Sequence, residues 1–192
     1  RKDGTARKVW RDFGEWDRGW EPEPFLLEAA RLLTDGGSLL SFISEFTLPP
    51  FLTSGLNHRG LIYWRKSNPT PAFRQLYVRA VEMIVWQVKT DAARKQKWTW
   101  NASGYRPNVY EGPVLAGYTV VNGAEPRHHP TQKPLWLIKA LLAVHSKPTD
   151  LILDPYMGSG TTLHAAKSLG RRAIGIDSDK KWCEIAARRC SQ

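Results

Sequence analysis

Apolar residues along this 192-residue chain fall in short clusters whose spacing switches between helical and extended periods. Residues 25–33 carry apolar positions at helical spacing, opened by Pro22 and Pro24 and closed by Asp35-Gly36-Gly37, which predicts a helix. Residues 38–44, Ser-Leu-Leu-Ser-Phe-Ile-Ser, have the length and apolarity of a buried strand. Residues 48–57 predict a short helix. Residues 60–64 and 81–89 predict two strands, separated by a rigid turn at Asn68-Pro69-Thr70-Pro71. Apolar residues at 135, 137, 138, 141, 142 and 144 mark another helix. The run 151–153 has the composition of a buried parallel strand and meets Gly158-Ser159-Gly160. A helical stretch over 161–169 stops at Gly170, and a last strand over 173–176 ends on Asp177.

Two segments break this order. Residues 1–20 are polar, charged and aromatic, as in an active-site loop or a mobile arm. Residues 91–127 are rich in Gly, Pro, Asn, Tyr and Trp and show no clean period, the pattern of a functional insert or a surface loop.

The unit over 151–177 carries the strongest chemical signal. It reads as strand, glycine turn, helix, strand, with a carboxylate at the second strand's end. Glycines let backbone approach a ligand closely, and a helix N-terminus offers unpaired N–H groups. An acid about 20 residues after such a turn can accept hydrogen bonds from a ribose. A triphosphate-binding loop needs Lys after its last Gly, where Thr161 stands, and a dinucleotide fingerprint needs a third Gly where Leu163 stands. A plain tight turn remains an alternative on the turn alone.

The flanking residues narrow the reading. Asp154-Pro155-Tyr156-Met157-Gly158-Ser159-Gly160-Thr161-Thr162 closely resembles the cofactor loop of S-adenosylmethionine-dependent DNA amino-methyltransferases. His129-Pro130-Thr131-Gln132-Lys133-Pro134 matches a second signature of that family, and the order of the two blocks resembles its permuted, beta-type group. The resemblance implies an α/β, Rossmann-like methyltransferase fold: one domain over 1–192, a mainly parallel sheet and an antiparallel edge hairpin. It implies that Gly158, Ser159 and Gly160 approach the methionine end of S-adenosylmethionine, that Asp154 organises the site and that Thr161 caps the helix. Asp177 would bind the ribose, with a helix N-cap as its plain alternative. Lys133 would take the cofactor carboxylate, with His129 and Thr131 shaping the pocket. The insert over 91–127 corresponds to a target-recognition region, so Arg94, Lys95, Lys97, Trp98, Trp100 and Arg106 are candidate contacts to double-stranded DNA. The implied reaction is methyl transfer to an exocyclic amine of a DNA base, adenine N6 before cytosine N4, in a bacterial or phage-encoded cytoplasmic enzyme of a restriction-modification system. A non-catalytic DNA- or cofactor-binding subunit is the alternative.

Composition agrees with a polyanionic partner: net charge is +10 and the isoelectric point about 9.8. Several of the nine Trp adjoin basic residues, which suits base stacking as well as core packing. Cys183 and Cys190, seven apart on one face of the terminal helix, form no metal-ligand pattern and read as reduced thiols. His128-His129 has no acid or Cys partner nearby in sequence, so no metal is expected. No long apolar span points to a membrane.

One family feature is not found. The Asp/Asn/Ser-Pro-Pro-aromatic catalytic segment has its nearest string in Leu48-Pro49-Pro50-Phe51, but the Leu48 side chain cannot accept a hydrogen bond. The expectation is an N-terminally incomplete domain whose central strands lie upstream, or come from a second chain or a homodimer partner.

Overall fold

The computed structural model describes residues 21–69, 77–90, 97–115 and 126–191. Helix α1 (Pro22–Leu32) begins at the prolines, whose missing N–H costs nothing in a first helical turn. Strand β1 (Ser38–Ile43), helix α2 (Leu48–Leu52), strands β2 (Asn57–Lys66) and β3 (Val81–Val88), and strand β4 (Val109–Gly112) follow. Helix α3 (Leu135–His145), strand β5 (Leu151–Asp154), helix α4 (Thr161–Ser168), strand β6 (Arg172–Gly175) and helix α5 (Lys180–Ser191) complete the chain.

The described strands form two sheets. One has the order β1-β3-β2-β4, the other is the pair β5-β6. Strand β3 runs against both β1 and β2, while β4 is parallel to β2 and β6 to β5. Within the larger sheet, then, three strands share a direction and only β3 opposes them. The β2–β3 hairpin has β4 and β1 outside it, so it does not form the edge. Strand β4 is a correction to the aperiodic reading of the insert. The long β2 offers unpaired backbone groups along its outer side, and the Tyr63 N–H donates to the Asn108 carbonyl at 2.8 Å to start that pairing.

The main core lies where α3 and α4 cover the sheets, around Ile62, Trp64, Ile84, Leu137, Leu141, Ala165 and Ala166. A second cluster joins Leu26, Phe51 and Val85 across the other face of β3. Two expected buried strands are less buried than their composition suggests. All of β1 is half-buried, because it pairs only with β3 among the described strands. On β5, Leu151 and Leu153 remain 51% and 40% exposed, and Ile174 on β6 is 50% exposed. Those side chains point to the face away from α4, which no described helix covers.

Candidate cofactor site

Asp154 and Asp177 stand at the carboxyl ends of β5 and β6, and the glycine turn runs between them. The Gly158 N–H donates to Asp177 Oδ2 at 2.9 Å, and the Asp179 N–H donates to Asp177 Oδ1 at 2.9 Å. One carboxylate thus closes the turn and the loop after β6. Asp177 is not the helix N-cap. That role belongs to Asp179, whose Oδ1 accepts from the Lys181 N–H at 2.8 Å. A carboxylate has about four lone-pair sites, so both Asp177 oxygens keep capacity for ribose hydroxyls.

Gly160 is the N-cap of α4 with φ of 77°, and a Cβ there would lie 2.6 Å from the Ala186 Cβ. The turn is therefore glycine for two reasons, backbone conformation and the close approach of α5. Thr161 is the first helical residue and is buried, which corrects its expected role as the cap. Ser159 is also buried, at 2% exposure, so its hydroxyl braces the turn from below. Gly175 on β6 makes room for the Met157 sulfur, which a Cβ would meet at 2.3 Å.

The two signature blocks are joined by side chains that sequence reading left without a role. Gln132 Oε1 accepts from the His128 N–H at 2.7 Å and from Ser159 Oγ at 3.0 Å. Arg189 on α5 is buried and donates through Nη1 to the Ser159 carbonyl and to Ser159 Oγ at 3.1 Å. His129 stands over Gly158 and packs edge-on against Trp182, with ring centroids 4.4 Å apart. The Thr131 N–H donates to His129 Nδ1 at 3.2 Å, which fixes that nitrogen as an acceptor. Burial lowers the His129 pKa, the Asp177 charge opposes that, and Lys133 adds to it.

Lys133 donates to Glu82 Oε2 at 2.7 Å, and Lys66 pairs with Glu82 Oε1 at 2.8 Å. Burial pushes the Glu82 carboxyl upward, but the two lysines together hold it below the usual carboxylate range. Lys133 is therefore tied to β3 and half-buried, though its ammonium has three protons and one goes to Glu82. Asp154 is pushed the other way. Burial raises its pKa, hydrogen bonds from Thr162 and the Tyr156 N–H oppose this, and the Asp177 charge raises it further.

The candidate DNA contacts divide. Arg94 and Lys95 lie outside the described residues. Lys97, Trp98, Trp100 and Arg106 gather at the opposite end of the larger sheet, where β3 and α3 finish. That segment is docked: the Thr99 N–H donates to the Gly36 carbonyl at 3.1 Å and the Asn101 N–H to the Val144 carbonyl at 2.9 Å. In Leu48-Pro49-Pro50-Phe51 the Phe51 ring is fully buried, so it cannot stack on a base. Among the described residues there is no His/Cys/Asp/Glu group able to hold a metal ion, and no helix long and apolar enough to cross a membrane.

Residues 5–188 match the family model for N6/N4 methyltransferases, described as DNA methylase. The chain is 35% identical over 135 residues to the Type II methyltransferase M2.DpnII of Streptococcus pneumoniae, a match covering 67% of this chain and 49% of that protein. It is 33% identical over 138 residues to the Type II methyltransferase M2.LlaDCHI of Lactococcus lactis subsp. cremoris, covering 68% of this chain and 50% of that protein. The chain thus spans about half the length of these curated relatives. Among solved structures, M1.HpyAVI in complex with SAM superposes with a TM-score of 0.71 at 30% identity, over 87% of this chain and 81% of that one.

Proposed function

Given that the chain belongs to the DNA methylase family, we propose that its glycine turn holds S-adenosylmethionine for methyl transfer to an exocyclic amine of a DNA base. The observation that carries this is the joining of two distant sequence blocks, through Gln132, Ser159 and Arg189, into one loop cluster at the ends of β5 and β6. Bound S-adenosylmethionine supplies an electrophilic methyl group on sulfonium. The protein's own residues bind and orient. The backbone of Gly158 and Gly160 comes close to the ligand, and Asp177 accepts from ribose hydroxyls. Asp154 organises the loop, and Lys133 faces the cofactor carboxylate, with His129 and Thr131 beside it. Lys97, Trp98, Trp100 and Arg106, with Arg94 and Lys95, contribute affinity for double-stranded DNA. Transfer needs amine, methyl and sulfur in line, so positioning supplies much of the rate.

Adenine N6 is the first choice of target and cytosine N4 the second. The M2.DpnII and M2.LlaDCHI matches favour a restriction-modification setting, hence a bacterial or phage-encoded cytoplasmic protein. A non-catalytic DNA- or cofactor-binding subunit is the second reading, favoured by the burial of Phe51 in the nearest string to the catalytic segment. In either case a homodimer partner or second chain is a candidate source of catalytic residues.

Calorimetry of S-adenosylmethionine binding to this 192-residue chain, with methyl transfer to mixed-sequence duplex DNA, tests the proposal. Binding is the expected result. Binding with transfer supports the enzyme, and binding without transfer supports a cofactor half-site lacking its catalytic strand. A folded chain that does not bind overturns the cofactor assignment.

A further inference from the structure

The far end of the larger sheet holds an aromatic, basic cleft unrelated to the glycine turn. Trp86 and Trp100 stack there with centroids 5.5 Å apart and planes 26° apart. His145 meets both edge-on, at 4.8 and 5.6 Å. The Arg59 guanidinium lies 3.7 Å from the centre of the Trp98 ring. Arg59, Trp86, Trp100, Arg106, Tyr110 and His145 wall a cavity of about 220 Å³, and a wider cleft sharing Trp86, Trp100 and Arg106 adds Lys97, Trp98 and Tyr105.

Three observations point to a ligand. Among the described residues lining the two clefts, the charged ones are Arg59, Lys97 and Arg106, with no acid. Trp100 is 37% exposed and Tyr105 wholly exposed, so flat apolar faces stand beside the cations. His145 lines the cavity at 7% exposure, and its Nδ1 has no hydrogen-bond partner among the described residues. A buried polar atom left without a partner is costly, so this wall of the cavity carries unsatisfied polarity.

We propose that this cleft binds a nucleotide, with its base stacked on Trp100 and its phosphate drawn to Arg59, Lys97 and Arg106. The chemistry is a planar base beside an anion, which a free nucleotide and an unpaired nucleotide of a DNA strand share. Only the choice of DNA as a source rests on the proposed function. Base faces are covered in a duplex, so an intact duplex meets the cations through its phosphates and leaves the Trp100 face unstacked. Helix α3 separates the cleft from Lys133 by about 15 Å, at 1.5 Å per residue, so a base here is not the one being methylated.

Tryptophan fluorescence, titrated with dAMP, a short oligodeoxythymidylate and a blunt duplex, tests this. The expected result is quenching by dAMP and by the single strand, weakened roughly tenfold or more in Trp100→Ala and Arg106→Ala. Arg106 is exposed, so its variant keeps the test valid should Trp100→Ala fail to fold. A strand that binds more tightly than dAMP identifies unpaired DNA as the ligand, and equal affinities identify a free nucleotide. No quenching of the folded protein by dAMP or by the single strand, or quenching unchanged in Arg106→Ala, overturns the proposal. S-adenosylmethionine calorimetry on the same variants should be unchanged. Lost cofactor binding by the unsubstituted protein, with quenching intact, would overturn the function instead.

Discussion

A single carboxylate, Asp177, closes the glycine turn and the loop after β6, and the proposed function gives it the ribose. Asp177→Ala removes two backbone hydrogen bonds as well as a ligand contact. It should weaken S-adenosylmethionine binding by ~1–3 kcal/mol, the scale for hydrogen bonds to a charged group, measured by calorimetry on a variant shown to be folded. Unchanged affinity would remove the ribose role. Gly160 carries a different constraint. Gly160→Ala forces a positive φ on a residue with a Cβ and drives that atom into Ala186. A loss of about 2–4 kcal/mol in urea unfolding is expected, partly recovered by adding Ala186→Gly. The glycines and both acids were legible as a motif. Gln132 stood inside a quoted signature without a role, and Arg189 gave no local signal at all. Its partner Ser159 lies 30 positions away, and only folding brings the two together.

Helix α3 links the two ends of the molecule. It starts just after Lys133, beside the glycine turn, and ends at His145, edge-on to both Trp86 and Trp100. Apolar spacing predicted this helix almost to the residue, because it is buried along most of its length. Burial of His145 has a consequence for pH. The unfolded chain protonates this residue near 6.5, while the fold holds it down at about 4. The unfolded state therefore binds the proton first, so stability is full above pH ~6.5 and falls as pH drops toward ~4. The expected loss is about 3 kcal/mol across that window, read by urea unfolding at several pH values. His145→Phe should flatten the dependence, and an equal slope in that variant would assign the effect elsewhere. The insert was less legible. Its strand β4 is four residues long and lacks alternation of its own, and it exists because β2 presents an edge to pair with.

At the scale of the molecule, the described strands form two sheets where the family resemblance implies one. The β5–β6 pair has helices α3 and α4 packed on one side and leaves Leu151, Leu153, Ile174 and Ile176 on the other, each 40–53% exposed. Parallel sheets are ordinarily covered on both faces, and two strands alone are marginal. Amide exchange in this 192-residue chain should therefore be faster in β5 and β6 than in β2 and β3, whose pairing is longest. Equal protection of the two sheets would mean that the open face is covered in solution.

Local order was already set by the chain's own pattern. Residue spacing fixes helical and extended periods, prolines and glycines punctuate them, and two short signatures identify the family and the cofactor turn. These are properties of neighbours a few positions apart, where sterics and periodicity act directly. Tertiary structure alone decided the rest. It gave Asp177 to the turn and Asp179 to the helix cap, tied Lys133 to Glu82, and set Arg189 beneath Ser159. It also gathered Arg59, Trp86, Trp100 and His145 into one cleft. Each depends on side chains far apart in sequence being packed within hydrogen-bonding or stacking distance, which no local pattern encodes.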